Sequence, residues 1–592
     1  MTNLIDALLP TVNVVSEEDF FEISKTVERT EEHLLFIGIR LKAKRDGIPP
    51  VCTISWSIPA LDIHSMWHPG VERNRAFQID WGSGFNSRNS SQAPVTALLN
   101  LAGRNRMTFA FTDVLNKIEV KAGIHEEDSS FLCSLKLFEE PVPSLEVYEA
   151  VLRIDTRDIP YHEALAEVSR WWEQQPGLEP ADVPDAALLP MYSTWYSYHQ
   201  ELTDAALEEE CRLAREIGCD TIIVDDGWQT DDNNRGYAFT GDWEVCETKI
   251  PDMKAHVDRV HDLGMKYMLW YSVPFVGRKS RVWDIFKDKV LKVEEGLDAG
   301  VLDPRFPEVR DYLLHIYQQA VTEWGIDGLK LDFVDSFQPR DGELPVEGGG
   351  RDYRSIPEAV DRLFTDIMQS LKAIKPDILI EFRQSYIGPL MRKYGNIFRA
   401  GDCPNDSIQN RVRTLDLRLL SGDTAVHSDM IMFNPHEDTA SSAMQFINSL
   451  FSVLQISVRL AEIGEEKLAM LRFWTDFSRE YSDVLLRGSL SPQHPELLYP
   501  IVTANKDNVQ VIACYAEMVI TPEGTPERLA IVNGTYTDNV VVRWTSDPAV
   551  YVAVIKNCRG QVTEQLTLEL RKGLLEVPVP RAGAAILTRL QS

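Results

Sequence analysis

Up to about residue 155 apolar and polar positions alternate along the chain. VCTISWSI (51–58), MTFAFTDV (107–114), KIEVKAGI (117–124), FLCSLKLF (131–138) and EVYEAVLRID (146–155) carry apolar residues at every second position. That is the period of half-buried strands. Turn-rich stretches such as GSGFNSRNSS (82–91) separate them, so the pattern predicts an antiparallel β-sandwich. Residues 160–177 read as a helix. Its paired Trp171 and Trp172 are expected to pack between the sandwich and the next domain. EPADVPDAALLP (179–190), with three prolines, reads as a linker.

From about residue 189 the pattern changes. Apolar runs that read as strands alternate with 3.6-period helical segments: MYSTWYSYH, CDTIIVDDGW, MKYMLWYSV, AGVLDP, IDGLKLDFVD, DILIEFRQ, NIFRAGD and DTAVHSDMIM. Strands without polar alternation, each followed by a helix, predict a parallel sheet buried on both faces. Eight of them over this length predict a (β/α)8 TIM barrel. Period-two segments return after about residue 490 (VQVIACYAEM, RLAIVNGTY, NVVVRWT, YVAVIKN, GAAILTRL). The predicted organisation is α/β: an N-terminal β-sandwich with its linker helix over 1–185, a central catalytic barrel over 186–490, and a small C-terminal β-sandwich over 491–592.

Charge narrows the function. A formal net charge of −30 over 592 residues makes nucleic acid and anionic membrane surfaces poor partners, because phosphate contacts need clustered Lys and Arg. The eight cysteines form no C-x-x-C pair, which points away from a zinc ribbon or disulfide scaffold. No apolar run reaches ~18 residues and no secretory signal is visible, so a cytoplasmic location and no membrane span are expected. The histidines His199, His427 and His436 form no H-E-x-x-H pair, and the DDGWQTDDNN stretch departs from an EF-hand, so no metal and no cofactor are expected. EGGG (347–350) lacks the Lys-Ser/Thr of a phosphate loop and reads as a turn or lid. Cys403, next to Asp402, reads as a buried or pocket-wall thiol.

In such a barrel the active site lies at the C-terminal ends of the strands. The residues that close the strand patterns are Trp195, Asp225, Asp226, Trp228, Trp270, Lys330, Asp332, Arg383, Gln384, Arg399, Asp402 and Asp429. One such aspartate alone would read as a helix cap. Carboxylates closing four strands, together with three tryptophans, suit a sugar: the indole offers an apolar face, and Asp and Lys bond the hydroxyls. Two carboxylates flanking a glycosidic bond are the usual hydrolytic pair.

VDDGW, the K-x-D of LKLDF and the Arg and Asp of RAGDCPND together resemble the melibiase-type α-galactosidases of glycoside hydrolase family 36, in one clan with family 27. The resemblance covers roughly 190–460 and extends to the flanks by architecture. It implies a retaining α-glycosidase acting on an oligosaccharide or glycoside with a terminal α-galactosyl-type residue. It also implies Asp332 as nucleophile and Asp402 as acid/base, with Asp406 as the fallback. Lys330, Asp225 and Asp226 would grip the sugar hydroxyls, Trp195 and Trp270 would line the pocket, Arg399 matches an arginine upstream of the acid, and Asp429 resembles a late sugar-contacting Asp-Met. The family also suggests a homo-oligomer. On this reading Lys330 lowers the pKa of Asp332, and Asp402 starts protonated.

The chain departs from the family at KLDFVD, where family 36 has a KWDMNR-like run, and at EFRQS, where it has Cys-Ser-Gly-Gly facing the sugar's 2-substituent. Arg383 and Gln384 are therefore expected on that wall. Arg383 would either pair with Glu381 or another pocket acid, or contact the sugar near its 2-position. The sugar's identity stays open (galactose, N-acetylgalactosamine or L-arabinopyranose type). So does transfer to a sugar acceptor, as in raffinose-synthase-like proteins. A non-catalytic sugar-binding role fits least, since it has no need of both Asp332 and Asp402.

Overall fold

The computed structural model describes residues 12–340, 346–383 and 385–590. Two six-stranded sheets form the N-terminal sandwich. Cys52–Pro59 pairs antiparallel with Ser130–Leu137 in one sheet, and Leu34–Ala43 with Val147–Asp155 in the other. Every second residue of these strands turns inward: Ile54, Trp56, Ile58, Ile37, Ile39 and Leu135 share one core. Two long strands, Phe21–Glu31 and Leu34–Ala43, add to the five segments read from the sequence.

Eight parallel strands make the barrel: β1 (Met191–Ser193), β2 (Thr221–Val224), β3 (Lys266–Ser272), β4 (Gly328–Asp332), β5 (Leu379–Arg383), β6 (Ile397–Arg399), β7 (Ala425–His427) and β8 (Gln455–Ile456). β8 pairs with β1, and bridges at His427–Val453 and Ile431–Ile456 close the ring against β7. Both faces are covered, so strands such as TIIV and GLKLD are buried at every position. This explains their unbroken apolar runs.

Two strand readings change. AGVLDP is not a barrel stave: Ala299–Leu302 lies in a three-stranded antiparallel sheet with Phe275–Gly277 and Val290–Glu294, inserted after β3. The eighth stave is Gln455–Ile456, which is too short to show a period. MYSTWYSYH also stops being a strand at Ser193, and Trp195–Tyr198 forms a helical turn. Side-chain caps start five of the barrel's helices. Thr203, Asp252, Ser355, Asp406 and Asp438 each accept a main-chain N–H of their helix's first turn, satisfying one of its orphan donors.

The helix Tyr161–Glu173 joins the parts. Trp172 Nε1 donates to Phe111 O of the sandwich at 2.9 Å, Ser169 Oγ to Leu420 O of the barrel at 2.9 Å, and Tyr161 OH to Pro492 O beyond it at 2.8 Å. Trp171 stacks on its neighbour and lies 5.9 Å from the Phe36 ring. A seven-stranded sheet and the pair Val540–Trp544 with Gly573–Val577 enclose a separate C-terminal core. Among the described residues no helix is long and apolar enough to cross a membrane.

Candidate active site

The strand ends of β2, β4, β5 and β6 converge on one charged pocket. At the end of β4, Asp332 is 3% exposed. Its Oδ2 accepts Trp270 Nε1 at 3.0 Å, and its Oδ1 accepts the Phe333 N–H at 2.8 Å and Arg383 Nε at 2.6 Å. Phe333 takes a left-handed φ of 62° directly after the carboxylate. A bulky residue adopts that backbone only where the surroundings hold it there. Its ring lies under the Arg383 guanidinium, 5.2 Å from centroid to Cζ.

The cation on Asp332 is therefore Arg383. Lys330, expected beside the nucleophile, instead donates to Asp225 Oδ2. Only β3 separates the strands that carry them, and each is 3% exposed. Arg383 does not pair with Glu381 either. Its Nη1 reaches Asp402 Oδ2 at 3.5 Å, so one guanidinium lies between Asp332 and Asp402. Burial works against the charge on Arg383, but Asp332 and then Asp402 outweigh it and hold the guanidinium protonated.

Arg399, at the end of β6, is fully enclosed. It donates to Asp402 Oδ1 at 2.9 Å and Asp429 Oδ1 at 2.5 Å, and stands 3.5 Å from Glu381 Oε1. Asp429 lies behind it with 0% exposure. Its other oxygen accepts Tyr196 OH at 3.0 Å and the Cys403 N–H at 2.6 Å. Asp429 thus orients Arg399 and Tyr196, and the sugar contact expected of it has no exposed surface to act through.

Asp402 is 39% exposed at its side chain and is the open member of the group. Burial raises its carboxyl, but Arg399, Arg383 and Lys330 together pull it well below the usual carboxylate range. In the free enzyme these cations favour the ionised form of Asp402, against the expectation that it starts protonated. Asp406 is engaged elsewhere. It caps Ser407–Arg418 through the Gln409 N–H at 3.0 Å and receives Arg73 of the sandwich at 2.5 Å.

Asp226 behaves differently from its neighbour. Burial, with the Asp225 charge adding to it, raises its carboxyl to about 6 against the hydrogen bonds of Gln229 and Gln200. Those amides lie 2.7 and 2.8 Å from its oxygens. Gly227 lets the chain turn there: its φ is +113°, and a Cβ would come 2.6 Å from Gln200 Cα. Lys249 fastens the same loop through Gln200 O at 2.7 Å and Gly227 O at 2.8 Å.

Of the tryptophans, Trp270 forms the floor under Asp332. Trp195 sits at the rim, half-buried, edge-on to His199 at 4.6 Å with Arg235 over its ring. Trp228 is enclosed completely: its Nε1 donates to Trp270 O at 2.9 Å, and Trp243, Tyr271 and Trp324 surround it. It supports the pocket from behind, which corrects the expectation of a sugar contact. Gln384 lies outside the described residues. Gln200 and Gln229, from loops after β1 and β2, and Tyr196, from the helical turn after β1, escape the sequence reading because no periodic pattern singles out a residue there. Glu381 enters that reading only as a partner of Arg383, yet it lies at 0% exposure with Gln455 Nε2 donating to it at 2.5 Å.

Residues 188–385 match the melibiase family model. The α-galactosidase Mel36A of Lactobacillus acidophilus is 25% identical over 205 residues, an alignment spanning 32% of this chain and 26% of that protein. The chain thus spans about a quarter of the length of that curated relative. The crystal structure of the GH36 α-galactosidase AgaA from Geobacillus stearothermophilus superimposes with a TM-score of 0.67 at 15% identity, covering 96% of this chain and 81% of that one. A variant of AgaA in complex with raffinose gives 0.66 at 14%, with coverage of 96% and 81%. At these identities the structures establish the fold, and the family match spans β1–β5 of the barrel.

Proposed function

We propose that this protein is a retaining glycoside hydrolase of the melibiase type that removes terminal α-galactosyl residues from oligosaccharides or glycosides. The observation that carries the reading is the pairing of Asp332 and Asp402 through one guanidinium. The two carboxylates, one enclosed and one open, come from the end of β4 and from just after β6, and Arg383 of the intervening β5 lies between them. The names of the relatives support the galactosyl specificity, and the raffinose complex of AgaA supports an oligosaccharide substrate.

In this mechanism Asp332 attacks the anomeric carbon while the bond to the leaving oxygen breaks and Asp402 gives that oxygen its proton. Asp402 then takes a proton from water, whose oxygen displaces the sugar from Asp332. Three fixed donors aim the Asp332 carboxylate before substrate arrives. Asp402 must gain a proton first. A sugar ring between the carboxylates interrupts the long Arg383–Asp402 contact and excludes water, and both changes raise the acid. Asp406, already a cap and an ion-pair partner, is not needed. Asp225 and Lys330, with Asp226 beside them, supply donors and acceptors for the far hydroxyls. Arg383 at the sugar's 2-side favours a plain 2-hydroxyl over an acetamido group.

A panel of aryl α-glycosides tests the reading. Turnover of the α-galactoside, abolished in Asp332→Ala, is expected. Activity confined to β-galactosides, or to the α-N-acetylgalactosaminide, would overturn it. The eight cysteines are all unpaired, which supports a reducing, cytoplasmic setting. Homo-oligomerisation, suggested by the family, is checked by light scattering.

A further inference from the structure

A single loop of the N-terminal sandwich, residues 67–75, grips one face of the helix Ser407–Arg418 that follows β6. Asp406, which caps that helix, and Gln409, Arg413 and Asp416 along it recur at the three- and four-residue spacing of one helix face. Each of them meets the loop. Arg73 Nη2 donates to both oxygens of Asp406, at 2.5 and 2.7 Å. Gln409 Nε2 donates to Glu72 Oε2 at 2.8 Å. Arg413 reaches both Glu72 oxygens, Nε to Oε1 at 3.0 Å and Nη2 to Oε2 at 3.2 Å. Trp67 Nε1 donates to Asp416 Oδ1 at 2.8 Å, and Arg75 Nη2 to its Oδ2 at 3.2 Å.

The contact at Glu72 leads on to Asp402. With Nε and Nη2 clamped by one carboxylate, the Arg413 fork has Nη1 left, and Nη1 donates to the main-chain carbonyl of Asp402 at 2.8 Å. Among the described residues no other hydrogen bond reaches the Asp402 main chain. The segment that bears Asp402, between β6 and the helix, turns through Asn405 at a left-handed φ of 60°. Glu72 itself has a left-handed φ of 45°, a backbone that a non-glycine residue keeps only where its surroundings hold it. A long arginine side chain is costly to confine to one rotamer, and here a two-pronged carboxylate confines it.

We infer that Glu72 is a positioning residue for the acid: through Arg413 it fixes where the Asp402 peptide, and with it the carboxyl group, stands relative to the glycosidic oxygen. The inference rests on the α-galactosidase reading above, with Asp402 as acid/base. An acid works only within hydrogen-bond reach of the atom it protonates, and a small misplacement of the groups that support it loses part of its effect. The sandwich thereby takes part in proton transfer through one main-chain hydrogen bond. Its neighbouring contacts, Arg73 with Asp406 and Arg75 with Asp416, hold the domains together.

The test measures kcat/KM for two α-galactosides of similar size. The 4-nitrophenyl glycoside has a leaving group that departs without a proton, and the phenyl glycoside has one that needs it. Glu72→Gln removes the charge that clamps Arg413, and Arg413→Lys removes the fork that joins Glu72 to Asp402. In each variant the phenyl-to-nitrophenyl ratio is expected to fall roughly fivefold, the size of one hydrogen bond, with the nitrophenyl value within about twofold of wild type. Arg73→Ala opens the same interface at Asp406 and is expected to leave the ratio unchanged. A wild-type ratio in either variant, once folded, overturns the positioning role while leaving the activity intact. An equal fall in Arg73→Ala overturns it as well, because the loss then comes from a loosened interface. A wild-type enzyme inert on both glycosides overturns the activity reading and this inference with it.

Discussion

Replacing Arg383 by alanine separates the two duties the structure gives it. Its Nε is 2.6 Å from Asp332 and its Nη1 3.5 Å from Asp402. The first contact is a short, enclosed, charge-assisted hydrogen bond, worth about 1.5–3 kcal/mol. If all of it aims the nucleophile in the transition state, kcat/KM falls by roughly 10–150-fold. The second contact acts on the acid. Arg383 is one of three cations that hold Asp402 below the usual carboxylate range, so its removal raises that carboxyl. The basic limb of kcat against pH reports the acid in the enzyme–substrate complex, the state in which Asp402 must hold its proton. It is expected to move to higher pH in Arg383→Ala even as the plateau drops. Arg383→Lys keeps the charge but loses the planar fork, so the limb should return toward wild type with little recovery of the plateau. The assay is a pH series on an α-galactoside with a poor leaving group. A plateau within twofold of wild type, or a limb that moves to lower pH, would refute the reasoning.

Asp402→Asn is expected to slow substrates with poor leaving groups far more than activated aryl glycosides, since only the former need protonation; equal losses would remove Asp402 from the acid role. Asp406→Asn is expected to leave that selectivity unchanged, with at most a loss of about 1 kcal/mol from the helix cap, read by denaturant midpoint. Asp226 makes a pH-dependent contribution to stability. Its folded pKa is raised to about 6 from 3.8, so its contribution is fully present below the lower value and is lost as pH rises through the upper one, by up to about 3 kcal/mol. The melting temperature of Asp226→Asn relative to wild type should therefore improve between pH 4 and 7, and a flat or opposite difference would contradict the assignment. Asp416, buried and bonded by Trp67 and Arg75 of the sandwich and by Tyr499, joins three parts of the chain. Asp416→Ala should cost about 3–5 kcal/mol, measured by chemical denaturation.

The parts of the fold that were legible carry a strong local signal. IDGLKLDFVD stands out because Lys330 and Asp332 interrupt an apolar run that must otherwise be buried on both faces, and CDTIIVDDGW because two acids close one. AGVLDP has the same local character as a stave. Its pairing with Phe275–Gly277 and Val290–Glu294 assigns it to an inserted sheet, and long-range pairing leaves no local period. Gln455–Ile456 is two residues long and shows none either. In the site, strand-end position was readable but side-chain direction was not. Trp228 and Trp270 both close apolar runs, yet one is walled in by Trp243 and Trp324 and the other holds Asp332. Charge partners were the least legible. Arg383 could reach Glu381, Asp332 or Asp402, and the choice depends on how β4, β5 and β6 stagger around the ring. The ionised state of Asp402 depends on that choice, so it was no more legible.

The proposed mechanism is a double displacement through Asp332. It is tested most directly by following an α-galactoside with proton NMR from the first seconds of hydrolysis by the wild-type enzyme. α-Galactose is the expected first-formed product, with the β anomer growing only at the rate of mutarotation, because two successive displacements at the anomeric carbon retain its configuration. β-Galactose appearing first would mean that water attacks directly, and would contradict the role given to Asp332.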